Sequence, residues 1–285
     1  MQDIEDISII IPAYNEENGI LGVINNIHNV LRDKYKYEIL VIDDGSKDKT
    51  GQIAQNAGAR VITNPINMGY GFSLKKGFKE AKNECVIMTD ADGTYPIEMI
   101  PMFVQEFAKG FDMIVGARQG KEYWSSAVKS LARFCFKWMS EFVAGRRIVD
   151  INSGFRVIRR SKILPFLSDL SNKFSFTASS TLIFFLQHNF IKYIPIEYRA
   201  RKGKTKVRYV HDALTSTQIM VDIIAKYNPI KLFLLISFLP FLAFFIFLVL
   251  SIVFYSGLFL NLAVISFFFS IVILSLGFVA TIFRR

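Results

Sequence analysis

Two aspartates one residue apart, Asp90 and Asp92, are the residues whose spacing points most directly to chemistry. They follow a run of apolar and β-branched residues, Val86 to Thr89, that reads as a buried strand, and Gly93 permits a sharp turn after them. Pro96 then suits the first position of a helix carrying Ile97, Ile100, Met102, Phe103 and Phe107. Carboxylates this close repel unless a cation or proton intervenes. Hard oxygen donors, completed by water and phosphate oxygens, suit Mg²⁺ or Mn²⁺, so the pair is expected to hold a divalent cation against a diphosphate. An acidic turn ahead of a helix N-terminus is the plainer alternative for an isolated D-x-D.

The elements that position this pair alternate strand and helix. Ile7 to Ile11 is an apolar strand, followed by Pro12-Ala13-Tyr14-Asn15-Glu16-Glu17-Asn18 and a helix carrying Ile20, Leu21, Val23, Ile24, Ile27, Val30 and Leu31. Ile39 to Ile42 is a second strand ending in Asp43-Asp44-Gly45-Ser46, with Ser46 or Asp48 able to cap the helix through Ile53 and Ala57. Arg60 to Thr63 is a third, leading into the turn-rich Asn64 to Gly71 and a helix from about Phe72 to Ala81. The strand before Asp90 is the fourth, and Asp112 to Val115 a fifth, ending at Gly116-Ala117-Arg118. Such alternation predicts a mostly parallel sheet flanked by helices. Each polar cluster directly follows a strand, so all are expected at one edge of the sheet, where open α/β sheets bind ligands. That edge suits a nucleotide diphosphate. Neither G-x-G-x-x-G nor G-x-x-x-x-G-K-[ST] is present, which excludes the usual dinucleotide fingerprint and the P-loop.

Leu232 to Phe283 contains no charged residue. This is long enough for two membrane spans of about 20 residues or more, expected at 232–255 and 259–283, with Gly257 and Asn261 marking the turn and Pro240 a kink in the first span. Lys226 and Lys231 precede the pair and Arg284 and Arg285 follow it, so the positive-inside rule puts the amino-terminal domain and the carboxyl terminus in the cytoplasm. The acidic start, Asp3, Glu5 and Asp6, argues against a cleavable signal peptide. The net charge of +10 fits anionic lipid and phosphate-bearing ligands more economically than nucleic acid. Two cysteines, Cys85 and Cys135, form neither a metal spacing nor a disulfide framework, and His188 and His211 lack ligand spacing. From Tyr123 to Val143, Trp124, Leu131, Phe134, Trp138 and Phe142 recur at helical spacing beside Lys129, Arg133 and Lys137, which reads as an interfacial helix or as an ordinary helix on the sheet. Phe174 to Phe190 reads as core, followed by an edge strand from Tyr193 to Tyr198.

Four motifs in order, I-P-A-Y-N-E-E at Ile11, V-I-D-D-G-S at Val41, N-M-G-Y-G at Asn67 and D-A-D-G-T-Y-P at Asp90, resemble the GT-A domain of family 2 glycosyltransferases over roughly the first 210 residues. S-G-F-R at Ser153, R-K-G-K-T-K at Arg201 and the carboxyl-terminal hairpin are similar to the polyprenyl-phosphate (dolichyl-phosphate) mannose or glucose synthases. The resemblance implies an α/β architecture: a Rossmann-like, mostly parallel GT-A domain over 1–225, with an interfacial helix at about 123–144, and a transmembrane hairpin over 226–285. It implies base and ribose contacts from Pro12, Tyr14, Glu16, Ile42 and Asp44, diphosphate and metal contacts from Asp90, Ala91 and Asp92, and phosphate contacts from Arg118, Arg201 and Lys206. Mannose-type members often place glutamine two residues after the second aspartate, where this chain has Thr94, and Arg199 competes with Arg201.

The implied reaction is inverting transfer of a hexose from a nucleotide sugar, GDP-mannose, UDP-glucose or a UDP-hexosamine, to a polyprenyl phosphate. A phosphate monoester is largely dianionic at neutral pH, so its oxygen can attack without a strong general base. Arg118, Arg133 and Arg156 are the candidates for the acceptor phosphate, with Asp90, Asp92 and Arg118 as the catalytic set. Lys202 to Arg208, hinged at Gly203, is a candidate closing loop. A processive polysaccharide synthase is the nearest alternative, although Q-x-x-R-W is absent, and a non-catalytic membrane-associated nucleotide-binding protein is another. A homo-oligomer remains open.

Overall fold

The computed structural model describes residues 4, 6–119, 137–199 and 209–283. Two compact units divide the chain, Met1–Ile219 and Met220–Arg285.

The first unit is built on a seven-stranded sheet of order β3-β2-β1-β4-β6-β5-β7. Its strands are β1 (Asp6–Ala13), β2 (Lys36–Asp43), β3 (Arg60–Thr63), β4 (Cys85–Met88), β5 (Met113–Gln119), β6 (Arg156–Arg159) and β7 (Ile191–Glu197). All run in one sense except β6, which is antiparallel to β4 and β5. Burial on both faces explains why β1 and β4 read as continuous apolar runs rather than as alternating ones. Ile7, Ile9 and Ile11 join one core with α1 (Ile20–Leu31), α2 (Thr50–Asn56) and α4 (Ile100–Phe107). Ile10 points to the other face, against Gly77 of α3 (Tyr70–Glu80). There Phe78 stacks on Phe176 of α7 (Phe176–Leu186). Between β5 and α7 lie α5, helical over the described residues 137–144, and the short α6 (Arg160–Ile163).

The chain steps outward from β1 to β2 and β3, then returns across the sheet through α3 to β4 on the other side of β1. The order therefore reverses between β1 and β4. The loops after these strands open into the crevice such a reversal creates.

Several boundaries differ from the sequence expectation. A single 3₁₀ turn, Ile97–Met99, follows Pro96, and α4 begins only at Ile100 with Pro101 in its first turn. The fifth strand runs on through Gly116-Ala117-Arg118, and Tyr70 opens α3 two residues earlier than expected. β6 was not expected at all, because four residues bounded by Arg156 and Arg159 carry no strand signal of their own. The expected edge strand is β7. Residues 123–136 of the expected interfacial helix, with Cys135, lie outside the described residues.

α8 (Tyr209–Tyr227) leads into the second unit, which holds α9 (Pro229–Phe254) and α10 (Gly257–Ile282). Both are long and apolar enough to cross a membrane, at 26 residues each. The turn falls at Tyr255, in a left-handed conformation at φ 48°, and Ser256. Asn261 is inside α10 and not in the turn. Ala263, Ser270 and Gly277 are buried seven residues apart. Ser270 Oγ donates to the Ser237 carbonyl at 3.1 Å, and a Cβ on Gly277 would meet Phe233 Cβ at 2.6 Å. Small residues thus let the two backbones approach, as expected where lipid removes the hydrophobic drive for helix pairing.

A Cβ on Gly77 would lie 2.4 Å from Ile10 Cγ2, where the chain has no slack. Gly77→Val is expected to destabilise the first unit by about 1–3 kcal/mol through overpacking, measured as a lowered urea midpoint for the detergent-solubilised protein.

Candidate active site

A cleft of about 510 Å³ opens at the carboxyl ends of β1, β2 and β4. Pro12, Ala13, Tyr14 and Glu16 line it from β1, and Asp44 from β2. Asn67, Gly69, Tyr70 and Ser73 come from the start of α3, Asp90, Ala91 and Asp92 from β4, and Phe174 from the segment before α7.

The loops after β1 and β2 fix one another. Asp44 N donates to the Ala13 carbonyl at 2.8 Å and Asn15 N to Ser46 Oγ at 3.0 Å, while Lys47 N donates to Asn15 Oδ1 at 2.8 Å. Asn15 takes φ 51°, a conformation asparagine tolerates better than most residues. Glu16 N donates to Thr50 Oγ1 at 2.8 Å, so the first turn of α2 joins the same lock.

Asp44 is buried and ties this pair to the next loop. Its Oδ1 accepts from Met68 N at 2.9 Å and Asn64 Nδ2 at 2.8 Å, and its Oδ2 from Gly69 N at 2.8 Å. Lys76 Nζ donates to Asn64 Oδ1 at 2.9 Å, which orients that amide. Gly69 has φ 104°, and a Cβ there would lie 2.7 Å from the Asn172 carbonyl, so glycine is required on both counts.

The two aspartates of the motif are held differently. Asp92 is buried, and its Oδ1 accepts from Thr94 N at 3.1 Å and Thr94 Oγ1 at 2.7 Å, a local turn closed by its own side chain. Thr94, at the position where glutamine was the family alternative, orients the carboxylate from behind. Asp90 Oδ1 accepts from the Tyr70 hydroxyl at 3.0 Å. Burial, then the Asp90 charge, pushes the Tyr70 phenol well above its ordinary value, which keeps it protonated and donating. The donor set fits Mg²⁺ or Mn²⁺: the Asp90 and Asp92 carboxylates are hard oxygen donors in the cleft, and diphosphate oxygens and water would supply the remaining ligands. Among the described residues no third acidic, histidine or cysteine side chain joins them.

Three expected site residues stand outside the lining of the cleft. Ile42 is fully buried within β2 and does not line the cleft. Arg156 is fully buried, donating Nε to the Ser153 carbonyl at 2.7 Å, Nη2 to the Ile151 carbonyl at 2.8 Å, and Nη1 to the Thr177 carbonyl at 3.0 Å and Thr181 Oγ1 at 2.8 Å. A guanidinium so enclosed cannot receive an acceptor phosphate. Arg118 forms a bidentate pair with Asp150, Nε to Oδ2 at 2.8 Å and Nη2 to Oδ1 at 3.0 Å, and lies 5.4 Å from the centre of the Tyr198 ring, outside the cleft lining. Arg199 pairs with Glu98, and its N–H donates to the Thr94 carbonyl at 3.0 Å. Arg133, Arg201 and Lys206, with the expected closing loop, lie outside the described residues.

Tyr70 and Phe174 were not singled out from sequence, nor were Asn67 and Ser73 as separate site residues. The glycines flanking Tyr70 were the usable signal, since they mark a backbone pressed against something. Phe174 had none, because an aromatic residue beside a buried helix reads as core.

The profile of Glycosyl transferase family 2 matches residues 8–164, and the chain belongs to that family. It is a glycosyltransferase. Dolichyl-phosphate hexose transferase of Haloferax volcanii is 30% identical over 71% of this chain and 87% of its own length. Undecaprenyl-phosphate 4-deoxy-4-formamido-L-arabinose transferase of Pseudomonas fluorescens is 28% identical over 81% of this chain and 68% of its own. Among solved structures, glucosyl-3-phosphoglycerate synthase of Mycobacterium tuberculosis, in complex with Mn²⁺, UDP and glucosyl-3-phosphoglycerate, superimposes with a TM-score of 0.62 at 19% identity, covering 77% of this chain and 80% of that one. At that identity the likeness is one of fold.

Two measurable consequences follow from the arginines. Arg156→Ala would take the guanidinium donor from the buried Ser153 and Ile151 carbonyls, while the Thr177 carbonyl keeps the Ser180 and Thr181 hydroxyls, and is expected to lower stability by about 3 kcal/mol, seen as a lower thermal midpoint that Arg156→Lys does not restore. Burial alone would raise the Asp150 carboxyl, but hydrogen bonds and charge from Arg118 outweigh it and hold the group below its ordinary value. Its stabilising contribution is therefore present above the unfolded value of about 3.9 and lost as pH falls through the lower folded value. Asp150→Asn is expected to lower the urea midpoint at pH 7 while flattening its decline below about pH 4.

Proposed function

We propose that this glycosyltransferase moves a hexose from a nucleotide-diphospho-sugar to a membrane polyprenyl (dolichyl) phosphate, inverting the anomeric carbon and forming a lipid-phosphate-sugar. The observation that carries this reading is the presence in one chain of a cleft at a sheet switch point that holds the Asp90 and Asp92 pair and of two 26-residue apolar helices with no charged residue from Leu232 to Phe283. The names of the relatives in Haloferax volcanii and Pseudomonas fluorescens, both transferases of lipid-phosphate type, support the same acceptor class.

In this reading Pro12, Tyr14 and Glu16 frame the base and ribose, and Asp44 acts by holding the loop through Gly69 against them. Ile42 is left to pack the core. Asp90 and Asp92 hold the diphosphate end through a divalent cation, with Ala91 between them. When bound, that cation offsets the charge gathering on the departing nucleoside diphosphate. The acceptor oxygen attacks the anomeric carbon as the bond to the diphosphate oxygen breaks, and that bonding pair leaves with the nucleoside diphosphate. No proton need be removed, since the acceptor is already largely ionised at neutral pH. The chain's task is then to position two anions that repel each other. With Arg118 and Arg156 committed elsewhere, Arg133, Arg201 and Lys206 are the proposed cations for this task.

Residues 1–225 would form the catalytic domain and 226–285 the membrane hairpin. Lys226 and Lys231 flank the first span, and the turn at Tyr255 and Ser256 carries neither lysine nor arginine, which supports a cytoplasmic catalytic domain.

The test incubates the full chain in detergent with polyprenyl phosphate, Mn²⁺ and each of several radiolabelled nucleotide sugars, then counts label in the organic phase. One donor is expected to transfer, with loss in EDTA and a fall of about 100-fold or more in Asp92→Ala. Binding of a nucleotide sugar without transfer from any donor would overturn the lipid-phosphate acceptor.

A further inference from the structure

Behind Asp90 three segments distant in sequence close on a single oxygen. Tyr70, the first residue of α3, places its hydroxyl 3.0 Å from Asp90 Oδ1. Its ring stacks on Phe174, with centroids 5.6 Å apart and an interplanar angle of 18°. Gly154, in the loop before β6, presses against the same point: a Cβ there would lie 2.9 Å from the Tyr70 hydroxyl, 3.1 Å from Asp90 Oδ1 and 3.2 Å from the Tyr95 hydroxyl. Tyr95 in turn accepts from Gly154 N at 2.7 Å, which fixes how near that loop comes.

The first turn of α3 has no freedom to carry Tyr70 away. A Cβ on Gly71 would lie 2.2 Å from the Ser171 carbonyl, and Phe72 N donates to the Asn172 carbonyl at 3.0 Å. The segment that presents Phe174 is thus joined by main chain to the turn that presents Tyr70.

An aspartate at the end of a strand has a broad terminal torsion, so its carboxylate rotates unless something holds it. We propose that Tyr70 is a positioning residue of the transfer reaction, fixing with Phe174 and Gly154 the rotation of the Asp90 carboxylate that a Mg²⁺- or Mn²⁺-bound diphosphate requires. This rests on the reading of Asp90 as a cation ligand. Losing a partner that orients a ligating carboxylate from behind typically weakens metal affinity by about 10- to 100-fold. The stack explains why an aromatic residue is needed, since it holds the ring plane while the hydroxyl does the orienting. Gly154 gives the S-G-F-R motif a role at its glycine in place of the one expected at its arginine.

The test uses the full chain in detergent and reads Mn²⁺ binding directly by electron paramagnetic resonance, with saturating UDP and, in parallel, GDP. Tyr70→Phe keeps the ring and the stack and removes only the hydroxyl. Its Mn²⁺ affinity is expected to weaken by about 10-fold, with kcat restored toward wild type by excess Mn²⁺ and the acceptor KM unchanged. Gly154→Ala should shift Mn²⁺ affinity in the same direction. Unchanged Mn²⁺ affinity in Tyr70→Phe, or a loss of activity that excess Mn²⁺ does not relieve, overturns the proposal. Should Tyr70→Phe not fold, Phe174→Leu removes the stack and leaves the hydroxyl, and wild-type Mn²⁺ affinity there overturns it equally. Asp90→Asn separates the two readings: loss of Mn²⁺ binding in that variant but not in Tyr70→Phe refutes the positioning role alone, whereas wild-type binding in both refutes Asp90 as a ligand as well.

Discussion

A buried guanidinium holds the two walls of this cleft in place. Among the described residues Arg156 has no carboxylate partner in direct contact, and taking its charge out of water is costly unless every donor finds an acceptor. It meets that requirement with main-chain carbonyls of Ile151, Ser153 and Thr177 and the hydroxyls of Ser180 and Thr181. Burial lowers its pKa, and the nearby Tyr193 and Asp150 oppose that shift. One side chain thereby binds the loop that ends in Gly154 to the helix that begins just after Phe174. The run of small hydroxyl residues in α7, Thr177 to Thr181, is explained by this cation, because an all-apolar helix there would leave it unsatisfied.

The donor side of the site is rigid for a related reason. Asp44 collects two main-chain N–H groups and one amide, and Asn15, Ser46 and Thr50 close the remaining loop ends on each other. Loops usually tolerate variation, yet here the side chains facing the cleft stand on backbone that is hydrogen-bonded between loops rather than within them. A site assembled this way is preorganised, and little ordering remains to be done when a ligand enters.

This division explains what the sequence could disclose. The strands, the switch point and the D-x-D were legible because they depend on local patterns, apolar runs ended by turn residues, with chemistry placed directly after them. The hairpin was legible from the absence of charge alone, though its turn was not, since Asn261 resembles a turn residue while Tyr255, which adopts the left-handed conformation, does not. The partners of Arg118 and Arg156 were not legible, because a guanidinium in a motif looks the same whether it faces a ligand, a carboxylate or a carbonyl. Their partners lie 32 residues away in the first case and up to 43 in the second, and no periodicity encodes such pairs. Tyr70 and Phe174 were missed for the same reason: their meeting depends on how α3 and α7 cross one face of the sheet.

The electrostatic problem posed by the proposed reaction can be located on the same frame. Two anionic substrates must meet, and Asp90 and Asp92 add negative charge to the donor side until a cation arrives. The acceptor side needs fixed positive charge. Arg133 belongs to the stretch of sequence that directly follows β5, and Arg201 and Lys206 belong to the one that directly follows β7. β5 and β7 are parallel neighbours, paired from Met113 with Ile191 to Gln119 with Glu197, and they run in the sense of β1 and β4. Both strands therefore end at the edge of the sheet where the cleft opens, on the side of β4 away from β2. The strand ends that precede Arg133, Arg201 and Lys206 in sequence thus lie across the sheet from the strand ends of β1 and β2, whose loops line the cleft.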